Sequence, residues 1–90
     1  MSSLQDQFAT AQKDVNELPE RPDNETMLKL YAHYKQATKG DAGDEGPGAF
    51  DFVARAKFDA WSGLRGTSTG AAMQQYIDLV ASLRRSVTAG

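Results

Sequence analysis

Apolar residues recur along this chain with helical spacing, and nowhere do apolar and polar residues alternate for long enough to build a sheet. Leu4, Phe8, Ala11, Val15 and Leu18 follow one another at intervals of four and three, the stripe of an amphipathic helix over about residues 3–18. Ser2 with Gln5 reads as a capping box at its start. Pro19 and Pro22 end it, because proline lacks the amide hydrogen and biases the preceding residue toward extended backbone. Asp23 stands where it caps a second helix over about 24–39, which carries Met27, Leu28, Leu30, Tyr31, Tyr34 and Ala37 and stops at Gly40. The stretch GDAGDEGPG from Gly40 to Gly48 is a loop by composition. A third helix over about 50–65 brings Val53, Ala54, Ala56, Lys57, Phe58, Ala60, Trp61 and Leu64, before Gly66 and Thr67 break it. Ser68 caps a fourth over about 68–87, with Met73, Tyr76, Ile77, Val80, Leu83 and Val87. The expected fold class is all-α, a four-helix domain.

Ninety residues suit one domain spanning 1–90, and 40% hydrophobic with 24% charged residues is the composition of an ordinary globular chain. A chain this short buries roughly 60–65% of its unfolded surface. A groove or cleft is therefore expected, and a deep enclosed active site is not. Lys and Arg number 10 against 12 Asp and Glu, so a net charge of -2 offers no footprint for nucleic acid. The absence of cysteine excludes disulfides, thiolate zinc sites and a cysteine nucleophile. No apolar run exceeds three residues, which excludes a membrane-spanning helix or a signal-peptide core and leaves an intracellular, cytoplasmic protein as the expectation.

Two lysines depart from the simple pattern. At about 100° per residue, Met27, Leu28, Tyr31, Tyr34 and Lys35 share a stripe about 120° wide. Val53, Lys57, Ala60, Trp61 and Leu64 share a face of the third helix by the same count. Taken singly, each lysine lays its methylene stem along the core edge and sends its ammonium to water. Taken together with Tyr31, Tyr34 and Trp61, they describe a cleft with cations for phosphate and aromatic faces for a flat ring, the chemistry of an anionic nucleotide ligand. Tyr76 adds a third phenol, although a tyrosine on an apolar stripe is more often core with its hydroxyl at the surface.

Other chemistry is thin. His33 is the single histidine and lies off the stripe, so a surface role is expected, and no second histidine completes a metal pair. The acidic loop lacks EF-hand spacing, since position twelve counted from Asp41 is Phe52. It also lacks the lysine and hydroxyl residue of a phosphate-binding loop, and reads as a connector. Arg84 and Arg85 near the end of the last helix complement its dipole.

The string LYAHYKQATKGD from Leu30 to Asp41, PGAFDF from Pro47 to Phe52, AKFDAW from Ala56 to Trp61 and GTS from Gly66 to Ser68 closely resemble the acyl-CoA-binding protein family, in register from about Phe8 to Leu83. The resemblance implies a four-helix bundle of up-down-down-up topology that holds a long-chain acyl-CoA ester in an open bowl. It implies a carrier and pool former, not an enzyme, with the ester as ligand and no cofactor or metal. Carried over by position, the run Tyr31, Ala32, His33, Tyr34 and Lys35, together with Lys57 and Tyr76, resembles the residues that hold the CoA head. Phe8, Met27, Leu28 and Ala56 resemble those lining the acyl-chain groove. The two lysines picked out by helical geometry are the ones the family uses for phosphate.

Departures from the family pattern matter as well. Val53, Ala54 and Arg55 stand where Lys-Gly-Lys or a close variant is frequent, and Asn16 stands where lysine is frequent, so two cations are missing. Phe58 replaces a frequent tryptophan, Gln12 a small apolar residue, and Ser68 to Ala71 an acidic first turn, at a cost of about 0.3–1 kcal/mol for the lost dipole support. The competing expectation is a helical protein-interaction module without acyl-CoA affinity, in which tyrosines and Trp61 form the docking surface. An accessory domain of a larger acyl-CoA enzyme is a further alternative; the ends Met-Ser-Ser and Thr-Ala-Gly favour a free-standing chain. Expected partners are the ligand and acyl-CoA-using enzymes, with no nucleic acid, no stable membrane insertion and a monomeric state.

Overall fold

The computed structural model describes residues 3–48 and 50–89, with side chains through residue 86. Its four helices are α1 (Leu4–Asn16), α2 (Asn24–Lys39), α3 (Phe52–Ser62) and α4 (Thr69–Ala89), and no strand occurs among the described residues. The expected all-α class is the observed one.

Helix ends follow local capping chemistry. Ser3 caps α1 by accepting from the Asp6 amide at 3.1 Å; the expected capping box fell on Ser2, which lies outside the described residues. α1 stops at Asn16, two residues before Leu18, because the Glu17 amide turns back to the Asp14 carbonyl in a tighter turn. Asp23 caps α2, accepting from the Thr26 amide at 2.8 Å. Gly40 ends α2 at φ +81°, a conformation that favours glycine.

α3 is shorter than its periodicity suggested. Asp51 caps it through the Ala54 amide at 3.2 Å, which leaves Phe50 before the helix and 92% exposed. At the other end the chain leaves α3 after Ser62 through a series of four-residue turns, each closed by an amide bonding to the carbonyl three residues before it, from Trp61 to Thr67. Ser68 caps α4 through the Ala71 amide at 3.1 Å. α4 runs on to Ala89, and the Val87 side chain lies outside the described residues.

Paired contacts give the helix directions. Leu4 packs beside Gly70, the Phe8 ring lies edge-on to Tyr76 at 5.1 Å, and Arg84 Nη1 donates to Asp14 Oδ2 at 3.1 Å. These partners advance together, so α1 and α4 run parallel. Lys57 meets Tyr31 and Lys35 meets Trp61, so α2 and α3 also run parallel. Gln36 near the end of α2 reaches Thr67 just before α4, which sets α2 antiparallel to α4. The order is the up-down-down-up arrangement, and its parallel α2–α3 pair requires the long connection from Gly40 to Asp51. Arg84 therefore ties two helices together across the bundle, where the sequence reading had it complementing a helix dipole.

α4 is the shared wall: α1 and α2 both pack on it, and α3 packs on α2. Its core face sets Ala72, Tyr76 and Val80 against Phe8 and Ala11 of α1 and Leu30 and Ala37 of α2. Among the described residues α1 and α2 are not packed backbone to backbone. The space between them is what becomes a cleft.

The α2–α3 connection is sewn down along its first half. Asp41 accepts from Gln36 Nε2 at 2.8 Å and from the Gly66 amide at 2.9 Å. Gly66 presents that amide at φ +89°. Arg65 donates to the carbonyls of Ala42 and Gly43 at 3.0 and 2.6 Å, and Trp61 Nε1 donates to the Gly40 carbonyl at 2.8 Å. Gly46 lies against the Phe58 ring so closely that a Cβ there would stand 3.0 Å from it. This web anchors α3, which has no fully buried residue of its own.

Candidate functional site

The α1 stripe, the 17–23 link and the start of α2 enclose a cleft of about 560 Å³, floored by Tyr76 of α4. That volume lies within the range of small-molecule sites, about 300–1,000 Å³. Its α1 wall is Gln12, Val15, Asn16 and, just past the helix, Leu18. Its α2 wall is Met27, Leu30, Tyr31 and Tyr34, spaced by three, one and three so that all face the same side.

Three phenols converge here from two helices. Tyr76 is 5% exposed and Tyr34 is 39% exposed, with the Phe8 ring between them at 5.1 and 6.1 Å. Burial, followed by the neighbouring Tyr34, pushes the Tyr76 hydroxyl above the ordinary tyrosine value. It stays a neutral donor in the physiological range. Tyr31 is half-buried, and its ring receives the Lys57 ammonium of α3 at 5.3 Å from the centroid.

Of the residues singled out in the sequence, Tyr31, Tyr34, Tyr76 and Met27 line the cleft directly. Phe8 lies beneath it as buried core, 5% exposed. Lys57 borders it through Tyr31, while Lys35, one turn further along the same seam, has its ammonium 4.9 Å from the Trp61 ring centroid and does not line the cleft. Ala32 is 3% exposed and packs in the interior. His33 Nδ1 lies 2.7 Å from the Lys29 carbonyl on its own helix. Leu28 and Ala56 are half-buried on α2 and α3 and do not line the cleft. Val53 shares the Lys57 face by count, yet it is 69% exposed, as is its neighbour Phe52 at 78%, so the first turn of α3 lies open to solvent.

Sequence reasoning had not singled out Leu30, Glu20, Arg21 and Pro22 as part of this constellation. Leu30 was legible as an apolar α2 residue. The link residues carry no periodicity, and the two prolines that stop α1 were the one signal that this stretch is short and stiff. No group of three or more metal-ligating side chains gathers among the described residues. Among the described residues no helix is long and apolar enough to cross a membrane.

Comparison with known proteins places this arrangement. Residues 5–80 match the family model described as Acyl CoA binding protein. The chain is 47% identical over 76 residues to the acyl-CoA-binding protein of Saccharomyces cerevisiae, covering 84% of this chain and 87% of that protein. It is 46% identical over 86 residues to enoyl-CoA delta isomerase 2 of Rattus norvegicus; the match takes in 96% of this chain and spans 22% of that protein's length. The crystal structure of Acyl-CoA-Binding Protein 2 from Oryza sativa superposes with a TM-score of 0.92 at 38% identity, covering 98% of each chain. With the family pattern running through α1 to α4 and the bundle reproduced helix for helix, this chain belongs to the acyl-CoA-binding protein family.

Proposed function

We propose that this chain binds medium- to long-chain fatty acyl-CoA esters reversibly, as an intracellular carrier and pool former without catalysis of its own. The observation that carries the reading is the open cleft lined by Tyr31, Tyr34 and Tyr76, with the Lys57 ammonium on the Tyr31 ring, in a chain of this family. Tyr31, Tyr34, Lys35, Lys57 and Tyr76 are the residues proposed to hold the CoA head, with the backbone of Ala32 and His33 between them. Met27, which lines the cleft, and Phe8, which shapes it from below, are proposed for the acyl chain, with Leu28 and Ala56, outside the cleft on α2 and α3, proposed for the part of the chain that runs beyond it.

The two ends of the ligand contribute differently. Each methylene removed from water contributes about 0.8 kcal/mol, so ten of them supply on the order of 8 kcal/mol before the ordering costs of association. Ammonium groups and aromatic faces at the head supply selectivity. Free fatty acid lacks the phosphates, and free CoA lacks the tail, so each alone binds weakly. A cytoplasmic monomer that hands its ester to acyl-CoA-using enzymes follows from this reading.

Isothermal titration calorimetry with palmitoyl-CoA tests it, with CoA and palmitate as matched controls. Tight one-to-one binding of the ester alone is expected. Silence across a range of chain lengths would overturn the reading and leave a protein-interaction module in its place.

A further inference from the structure

We propose that Arg21, on the link between α1 and α2, is a phosphate-binding residue of this cleft; the inference rests on the acyl-CoA reading above and extends it to a residue outside the lysine pair. Arg21 and Glu20 are the charged side chains among the described residues that line the cleft; the rest of its wall is apolar, phenolic or amide. The α1 wall is uncharged, with Gln12 and Asn16 its polar members. Lys57 approaches from the α3 side, against Tyr31. Arg21 therefore adds a cation at the mouth, where the link closes the space between α1 and α2.

The charge of Arg21 is held without being spent. Its Nη1 donates to Asn24 Oδ1 at 3.4 Å, and asparagine is a neutral partner. Three other cations face carboxylates, Lys29 with Glu25 and Arg65 with Asp44, each at 3.9 Å, and Arg84 with Asp14 at 3.1 Å, whereas Lys35 and Lys57 face aromatic rings. A guanidinium carries five N–H donors in a planar fork, so one bond to Asn24 leaves donors for a phosphate in the bidentate geometry that arginine suits best. Pro19 and Pro22 fix φ on either side of it, and Pro22 itself lines the cleft, so the guanidinium is presented from a stiff support. Glu20, lining the same mouth, opposes an incoming anion and sets the sign of a control.

Calorimetric titration of the full chain with palmitoyl-CoA and with palmitoyl-dephospho-CoA, which lacks the ribose 3'-phosphate, tests the inference on Arg21→Ala, Arg21→Lys and Glu20→Gln, with Lys57→Ala alongside. Arg21→Ala should weaken palmitoyl-CoA binding about tenfold with an unchanged melting temperature, Arg21→Lys should recover part of it, and Glu20→Gln should tighten it. An equal loss on both esters means that Arg21 holds the pyrophosphate; a loss confined to palmitoyl-CoA means that it holds the 3'-phosphate. If Arg21→Ala binds both esters like the parent while Lys57→Ala binds palmitoyl-CoA weakly, the Arg21 inference falls and the carrier reading stands. If the parent itself binds neither ester, both fall.

Discussion

The ammonium of Lys57 on α3 lies 5.3 Å from the ring centroid of Tyr31 on α2, and one turn further along both helices Lys35 meets Trp61 at 4.9 Å in the reverse sense. Each helix thus lends the other a cation across a parallel seam. Exposed cation–π contacts of this kind contribute about 0.5–1 kcal/mol, too little to explain two lysines on apolar faces as stabilising devices. Lys35→Ala and Lys57→Ala should each lower the melting temperature by a few degrees at most. Each should weaken palmitoyl-CoA binding tenfold or more, as expected for a charge-assisted bond worth about 1.5–3 kcal/mol. Two well-folded variants that bind the ester like the parent would remove both lysines from the head-group site.

Phe8 links the cleft to the core. It is 5% exposed and touches Tyr34 and Tyr76 at once. Phe8→Ala should cost about 3–5 kcal/mol of stability, measured by urea unfolding, because the α1–α4 interface cannot collapse onto the void. Phe8→Leu keeps most of the volume and should fold; its ester affinity then reads the contribution of the ring to the cleft floor separately from stability.

Gln36 is fully buried, at 0% exposure, and its side-chain amide donates to both Asp41 and the Thr67 carbonyl. Gln36→Ala removes both donors and strands the Thr67 carbonyl, at a cost of about 1–3 kcal/mol. The damage should concentrate where α2, the connection and the start of α4 meet, so amide exchange should speed up around Asp41 and Gly66 before it does in α1. Uniform acceleration across all helices would argue against a local latch.

Asp41 makes that latch pH-dependent. The hydrogen bond from the Gly66 amide, then the one from Gln36, hold its carboxyl below the ordinary value of 3.8, with Arg65 adding to the effect. A folded-state value below the unfolded one means that the carboxylate stabilises the fold above about pH 4 and loses that contribution as the pH falls through the folded value. Asp41→Asn should therefore melt below the parent at neutral pH, and the gap should close in acid. Asp23 is lowered in the same way by its bonds to Thr26, so the comparison must be made against the parent at each pH, where the Asp23 effect cancels. A gap that stays constant from neutrality to strong acid would show that the charge of Asp41 contributes nothing.

Much of this was legible in the sequence because helices announce themselves locally. The caps at Asp23 and Ser68 and the stop at Gly40 act within three or four residues, and apolar spacing gives the buried face directly. The same arithmetic misjudged α3: it placed Phe50 within the helix, because the Asp51 cap was missed, and Val53 on the buried face, because periodicity reports an angle around one axis and nothing about what packs against it.

By itself, then, the amino-acid order determined four helices, their apolar faces, and the placement of Tyr31, Tyr34, Lys35 and Lys57 at the edges of those faces. Tertiary structure decided which edges meet. It set Lys57 over Tyr31, closed the cleft with Arg21 from an aperiodic link, buried Gln36 against Thr67 and joined Arg84 to Asp14. Those relationships join residues on different elements. Their energies depend on the crossing of whole helices, on loop closure and on the space left between α1 and α2, and none of these is encoded in the repeat of a single helix.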